Sequence, residues 1–128
     1  MTLYINTSDF DSVEFILIGK QVKSFKKTLA FNENFRTLEL LEKFLKNHKV
    51  GLKKIEKIIV CSGPGSFTGI RVGVAMAKAL SFALQVPLTA IPKDKLPEEM
   101  ENLPNVKLPK KLIINYGRKP NITKPKSQ

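Results

Sequence analysis

The chain is poor in the residues that support disulfide, imidazole and thiolate chemistry. It holds one cysteine, Cys61, one histidine, His48, and no tryptophan. A single cysteine excludes an intrachain disulfide, and a single histidine excludes a zinc site built on paired imidazoles. Cys61 closes the apolar run Ile58-Ile59-Val60-Cys61, where a free thiol acts as a small hydrophobe. With no histidine near it in sequence, it lacks the positive neighbour that a reactive thiolate needs. No spacing of Ser, Cys and His suggests a nucleophile and its base. Acidic residues are scarce as well, 11 against 22 basic, for a formal net charge of +11. That excess suits an acidic partner, a protein face or a nucleic acid, and equally suits a merely soluble basic surface. No apolar stretch reads as long enough to span a bilayer. The opening residues Met1-Thr2-Leu3-Tyr4-Ile5 lack the basic-then-apolar order of a signal peptide, so the expected location is the cytoplasm.

What is present is ordinary for one domain with a modest core: 128 residues, 42% of them hydrophobic. Leu3-Tyr4-Ile5 reads as a strand ended by the polar turn Asn6-Thr7-Ser8-Asp9. Val13 to Ile18 is a second strand, and Gly19-Lys20 turns it into a third, Gln21 to Phe31. Asn32-Glu33-Asn34 is placed to cap a helix running from Phe35 to about His48, with Leu38, Leu41 and Leu45 on one stripe and Leu40 and Phe44 beside it. Lys57 to Cys61 is a fourth strand. A second helix reaches Leu84, Val86-Pro87 stops it, and Leu88 to Ile91 is a fifth strand. The order predicts an α/β fold with a mixed five-stranded sheet. Three antiparallel strands precede a β-α-β unit whose strands run parallel, and two main helices pack against the sheet. From Pro92 the chain turns rich in Pro and Lys, with one apolar run, Leu112 to Tyr116, as a candidate extra strand before a basic tail. The expected division is a first lobe at 1–92, a connection at 93–111 and a strand with tail at 112–128.

Between the fourth strand and the second helix lies Gly63-Pro64-Gly65-Ser66-Phe67-Thr68-Gly69-Ile70-Arg71-Val72-Gly73. The glycine spacing differs from the dinucleotide fingerprint, and Ile70-Arg71 stands where a Walker loop needs Lys followed by Ser or Thr. Two readings stay open. In one, Gly63, Gly65, Ser66, Thr68 and Arg71 form an anion-binding turn, with backbone N–H groups and a helix N-terminus gathered in one place. In the other, the glycines only permit a sharp turn and tight helix packing. The helix itself carries Gly69, Gly73 and Ala77 every fourth residue, with Met76 and Leu80 alongside. Small residues at that spacing admit another backbone, either the chain's own sheet or a partner helix.

These residues resemble the TsaB family, which supports threonylcarbamoylation of tRNA. The resemblance is carried by Gly63 to Gly73, the alanine-rich helix and Val86-Pro87-Leu88. Ile5-Asn6-Thr7-Ser8 and the ending Tyr116-Gly117-Arg118-Lys119-Pro120 are similar more weakly. The resemblance implies one lobe of the actin-like, Hsp70-like ATPase fold. It implies a non-catalytic scaffold that needs no cofactor and pairs through its two helices with a TsaD-like catalytic subunit. A TsaE-like ATPase docks on that pair, tRNA is met only through the complex, and the chain pairs with itself when alone. On this reading Leu38, Leu41, Leu45, Gly69, Gly73, Met76, Ala77 and Leu80 form the partner face. The sequence departs from the family pattern where Asn6 replaces an Asp and where a short Pro/Lys connection stands for the second lobe. Asn is a poorer ligand for Mg²⁺ than a carboxylate. The alternatives are a phosphate- or nucleotide-binding protein that uses the glycine turn, or a basic tRNA-binding module.

Overall fold

The computed structural model describes residues 1–9, 11–28 and 36–95. The connection after Lys95, the Leu112–Tyr116 strand and the basic tail lie outside the described residues. Alternating and continuous apolar runs become five strands: β1 (Thr2–Asn6), β2 (Ser12–Ile18), β3 (Val22–Thr28), β4 (Lys57–Cys61) and β5 (Leu88–Ile91). They form one mixed sheet in the order β3-β2-β1-β4-β5. β1 pairs antiparallel with β2 and parallel with β4, and β4 pairs parallel with β5, as the β-α-β order requires.

Two helices cover one face. α1 (Thr37–Asn47) begins after Arg36, which has no side-chain cap bond, rather than at Phe35; the expected Asn32–Asn34 cap lies outside the described residues. α2 (Phe67–Leu84) starts at Ser66, whose Oγ accepts from the Gly69 N–H at 3.1 Å, and stops at Gln85 in the left-handed conformation. At 18 residues with a mean hydropathy of 1.4, α2 is long and apolar enough to cross a membrane, contrary to the sequence reading. In this fold it lies along β4, β1 and β5.

The core on the helix side joins Leu3, Ile5, Phe15, Ile58 and Val60 of the sheet to Leu41, Phe44 and Leu45 of α1 and Ala77 of α2. Within it Phe15, Phe25 and Phe44 stand with ring centroids 5.9 Å apart in each pair, which ties β2 and β3 to α1. The opposite face carries a second buried cluster, Tyr4, Ile16, Ile18, Ile59, Cys61 and Ile91. Cys61 thus fills the role of a small hydrophobe. Burial and the adjacent Cys61 thiol push the Tyr4 hydroxyl pKa far up, so it stays protonated.

Phe15 is fully buried at the centre of the aromatic trio. Phe15→Ala is expected to lower unfolding stability by about 3–5 kcal/mol, through lost burial and the cavity left behind. Urea denaturation with an unchanged m-value checks this.

Candidate functional site

The parallel strands β1 and β4 end side by side, and each runs straight into a polar turn. After β1 the turn is Asn6-Thr7-Ser8; after β4 it is Ser62 to Ser66, which feeds α2. The two turns are bonded to each other. The Ser66 N–H donates to the Ser8 carbonyl at 2.6 Å, and the Thr7 hydroxyl donates to the Gly69 carbonyl at 2.5 Å. Asn6 Oδ1 accepts from both the Ser8 N–H at 2.9 Å and the Ser8 hydroxyl at 2.6 Å, which holds the first turn in shape. The Cys61 thiol lies 3.6 Å from the Ser8 hydroxyl and accepts from the Gly63 N–H at 3.4 Å.

The glycines are explained by this closeness. A Cβ on Gly65 would collide with the Ser8 carbonyl, and one on Gly69 with the Thr7 carbonyl. Gly63, at φ 107, and Gly65, at φ 158, also sit in backbone regions that side chains disfavour. The anion-binding reading of Gly63, Gly65, Ser66, Thr68 and Arg71 meets a turn whose N–H groups are partly used by the chain itself. The N–H groups of Gly63, Ser66, Gly69 and Ile70 are all satisfied inside the chain. Arg71 lies over its neighbour Phe67, with 5.4 Å from guanidinium carbon to ring centroid. Those four N–H groups are used by the chain itself, while Gly65, Phe67 and Thr68 stand exposed at the same turn.

The expected partner face is redistributed. Leu41 and Leu45 of α1 and Gly73 and Ala77 of α2 are buried in the chain's own core, so they hold the helices to the sheet rather than meeting a partner. Gly73 packs on the Thr7 side chain, and Met76 and Leu80 are half-buried against the same core. Gly69 faces Thr7. Of the eight residues, only Leu38 stands mainly in solvent, at 54% exposure. The outward face of α2 is instead Phe67, Arg71, Ala75, Lys78, Ala79 and Phe82, with Phe67 73% and Phe82 86% exposed. Sequence reading followed the small-residue stripe and missed the two phenylalanines. For Phe82 the signal was available, since it follows Gly73 by nine residues and so lies on the opposite side of the helix.

A polar row crosses the same end of the sheet. Asn6, Glu14 and Lys26 are cross-strand neighbours on β1, β2 and β3. Burial pushes the Glu14 carboxyl up despite Lys26 and the Asn6 amide. Lys93, just after β5, reaches Asp9 at 2.7 Å and pins the first turn from the far side. Burial alone would raise the Asp9 carboxyl, but the bond and charge of Lys93, with Lys26 at 4.0 Å, bring it below its ordinary value.

A family model described as TsaD, tRNA N6-adenosine threonylcarbamoyltransferase, matches residues 17–118. The tRNA threonylcarbamoyladenosine biosynthesis protein TsaB of Bacillus subtilis is 32% identical over 90 residues, 70% of this chain and 39% of that protein. The chain belongs to this TsaD-type family, on its TsaB side. A tRNA N6-adenosine threonylcarbamoyltransferase of Thermodesulfovibrio yellowstonii is 42% identical over 53 residues, 41% of this chain and 16% of that one. YeaZ from Pseudomonas aeruginosa superposes with a TM-score of 0.66 at 25% identity, over 77% of this chain and 48% of the YeaZ chain. The fold is thus a TsaB-like, actin-like lobe. The chain spans less than half the length of these relatives.

Two outcomes follow from the closed turn. Gly69→Ala is expected to lose about 1–3 kcal/mol of stability, since overpacking against the Thr7 carbonyl outweighs the better helix propensity of alanine. Gly51→Ala, where an added Cβ meets nothing within 4 Å, is the control and stays near wild type by thermal melting. Asp9→Asn tests the Lys93 bond. The depressed Asp9 pKa stabilises the fold above the ordinary carboxylate value of 3.8 and stops doing so as pH falls through the lower folded value. The stability gap between wild type and Asp9→Asn is therefore expected to be under about 1 kcal/mol at neutral pH, because the pair is partly exposed, and to vanish in acid.

Proposed function

We propose that this chain is a non-catalytic scaffold of the tRNA threonylcarbamoyladenosine machinery that binds a TsaD-like catalytic subunit in the cytoplasm. The observation that carries this reading is the outward face of α2. A helix this apolar fully buries only Gly73 and Ala77, half-buries Val74, Met76, Leu80 and Leu84, and leaves Phe67 and Phe82 almost bare at its two ends. Exposed aromatics joined by alanines form a flat, close-approach surface, and Phe and Arg are residues that interfaces favour. The same face is self-complementary enough to pair two copies when the catalytic subunit is missing, and a TsaE-like ATPase would join the pair formed with that subunit. Contact with tRNA through the complex follows from the same reading.

The non-catalytic part of the reading is supported by the turn pair. Asn6 spends its amide oxygen on Ser8, and the N–H groups of Gly63, Ser66 and Gly69 go to Cys61, Ser8 and Ser66. Phosphate binding through those three N–H groups would require breaking these bonds.

Phe82→Glu is the test. It places a charge on the most exposed large hydrophobic residue of the outward face without touching the core, so the melting temperature is expected to stay within a few degrees of wild type. Co-purification with the TsaD-like subunit, and self-association of the isolated chain, are expected to fall at least about tenfold. Wild-type association by the folded variant removes α2 from the interface.

A further inference from the structure

The end of the sheet opposite the glycine turn is built differently. There the start of β1, the end of β2 and the start of β4 meet, since Thr2 pairs with both Ile18 and Lys57. The chain between α1 and β4 folds across this end as a single turn of 3-10 helix at Leu52–Lys54. It is fixed there by Met1, whose amine donates to the Lys54 carbonyl at 2.9 Å and whose carbonyl accepts from the Glu56 N–H at 2.8 Å. Gly19, in the β2–β3 turn, lies against the Met1 side chain and brings Lys20 to the same end. Lys20, Lys49, Lys53 and Lys54 are all exposed there, and no carboxylate of the described residues pairs with them.

We propose that this basic end is a docking surface for the phosphate backbone of an RNA, separate from the α2 face. Charge on α1 and at Asp9 is mixed, whereas Lys23 and Lys27 of β3 form a second, smaller basic row that serves as the comparison surface. Glu39 and Glu42 alternate with Lys43 and Lys46 along α1, and Lys26 and Lys93 share Asp9. At this end Glu56 is engaged by the Met1 amine at 3.3 Å, and the nearest further acids, Glu39 and Glu42, stand beside Val50 and Leu52 along the flank of α1. The carbonyl end of α1 adds about half a negative charge, well short of four ammonium groups. A protein partner fits poorly, because protein interfaces are depleted in lysine. Lysine is a strongly hydrated point charge, which suits loose, sequence-independent phosphate contacts. The choice of RNA among polyanions rests on the proposed role in tRNA modification; the surface itself rests on placement and charge.

The full chain is tested as two triple variants that remove equal charge: K49Q/K53Q/K54Q at the basic end, and K23Q/K27Q/K43Q elsewhere on the surface. Binding of a fluorescein-labelled RNA stem–loop is followed by anisotropy across a salt series, and co-purification with the TsaD-like subunit is measured on both. The basic-end triple is expected to bind the RNA about tenfold more weakly and to flatten the salt slope by about two, with partner capture intact. The control triple is expected to change affinity by less than about threefold. Equal losses in the two triples, or no loss in the first, overturn the proposal, because binding then follows net charge or another surface. Loss of partner capture by the basic-end triple overturns it too, since that end would then be a protein interface. The Phe82→Glu variant, tested separately, decides the scaffold reading whichever way the RNA result falls.

Discussion

The Thr7–Ser8 backbone lies against the first turns of α2 with no side chain between them, and much of the structure depends on that contact. It requires glycine at 65 and 69, because a Cβ at either would overlap a backbone carbonyl. It requires Ser66, which caps α2 with its side chain while its own N–H reaches Ser8. It also requires Asn6, whose amide oxygen holds Ser8 in place. Breaking the contact would leave polar groups unpaired in a partly buried site, which costs more than the bonds contribute when made. One close approach therefore explains the spacing of the glycines, the polar turn after β1 and the exact seating of the helix.

That seating determines what α2 has left to offer. With Gly73 and Ala77 spent on the sheet side, the rotation of the helix is set, and Phe67, Arg71, Ala75, Lys78, Ala79 and Phe82 must face outward. A face of this kind left unburied by its own lobe costs solubility, and a partner that covers it removes that cost. The physical sequence runs from a backbone contact at one end of the sheet, through the rotation of one helix, to an apolar surface suited to a partner.

The elements were legible because their boundaries are chemically marked. Gly19-Lys20, the Gly63–Ser66 turn and Val86-Pro87 punctuate the strands, and apolar runs of strand length fall between them. The five strands and the parallel β4–β5 pair follow from that punctuation and from the order of the elements. The use of each helix face was less legible. Leu38, Leu41 and Leu45 form one stripe by periodicity, yet Leu41 and Leu45 sit under the sheet and Leu38 stands outside it. Periodicity reports that a stripe is buried without reporting where its edge falls. In α2 the small residues admit a backbone at close range, but nothing in their spacing says that the backbone is Thr7–Ser8 rather than a neighbouring helix. That contact joins residues far apart in sequence, so local pattern carries no sign of it.

The glycine turn shows how one motif supports opposite chemical readings. A strand, a glycine-rich loop and a helix N-terminus form an anion site when the loop's N–H groups point into open space. Here one of those groups, the Ser66 N–H, is taken by the Ser8 carbonyl of the turn after β1. The neutral side chain of Asn6 fits this arrangement, since it can accept from Ser8 without placing a negative charge beside that carbonyl. A carboxylate at position 6 would repel the carbonyl oxygens around it unless a cation were held between them. Asn6 and the closed turn are therefore two parts of one solution: a loop of the kind that elsewhere cradles phosphate is bonded to its own chain and serves to set the helix beside it.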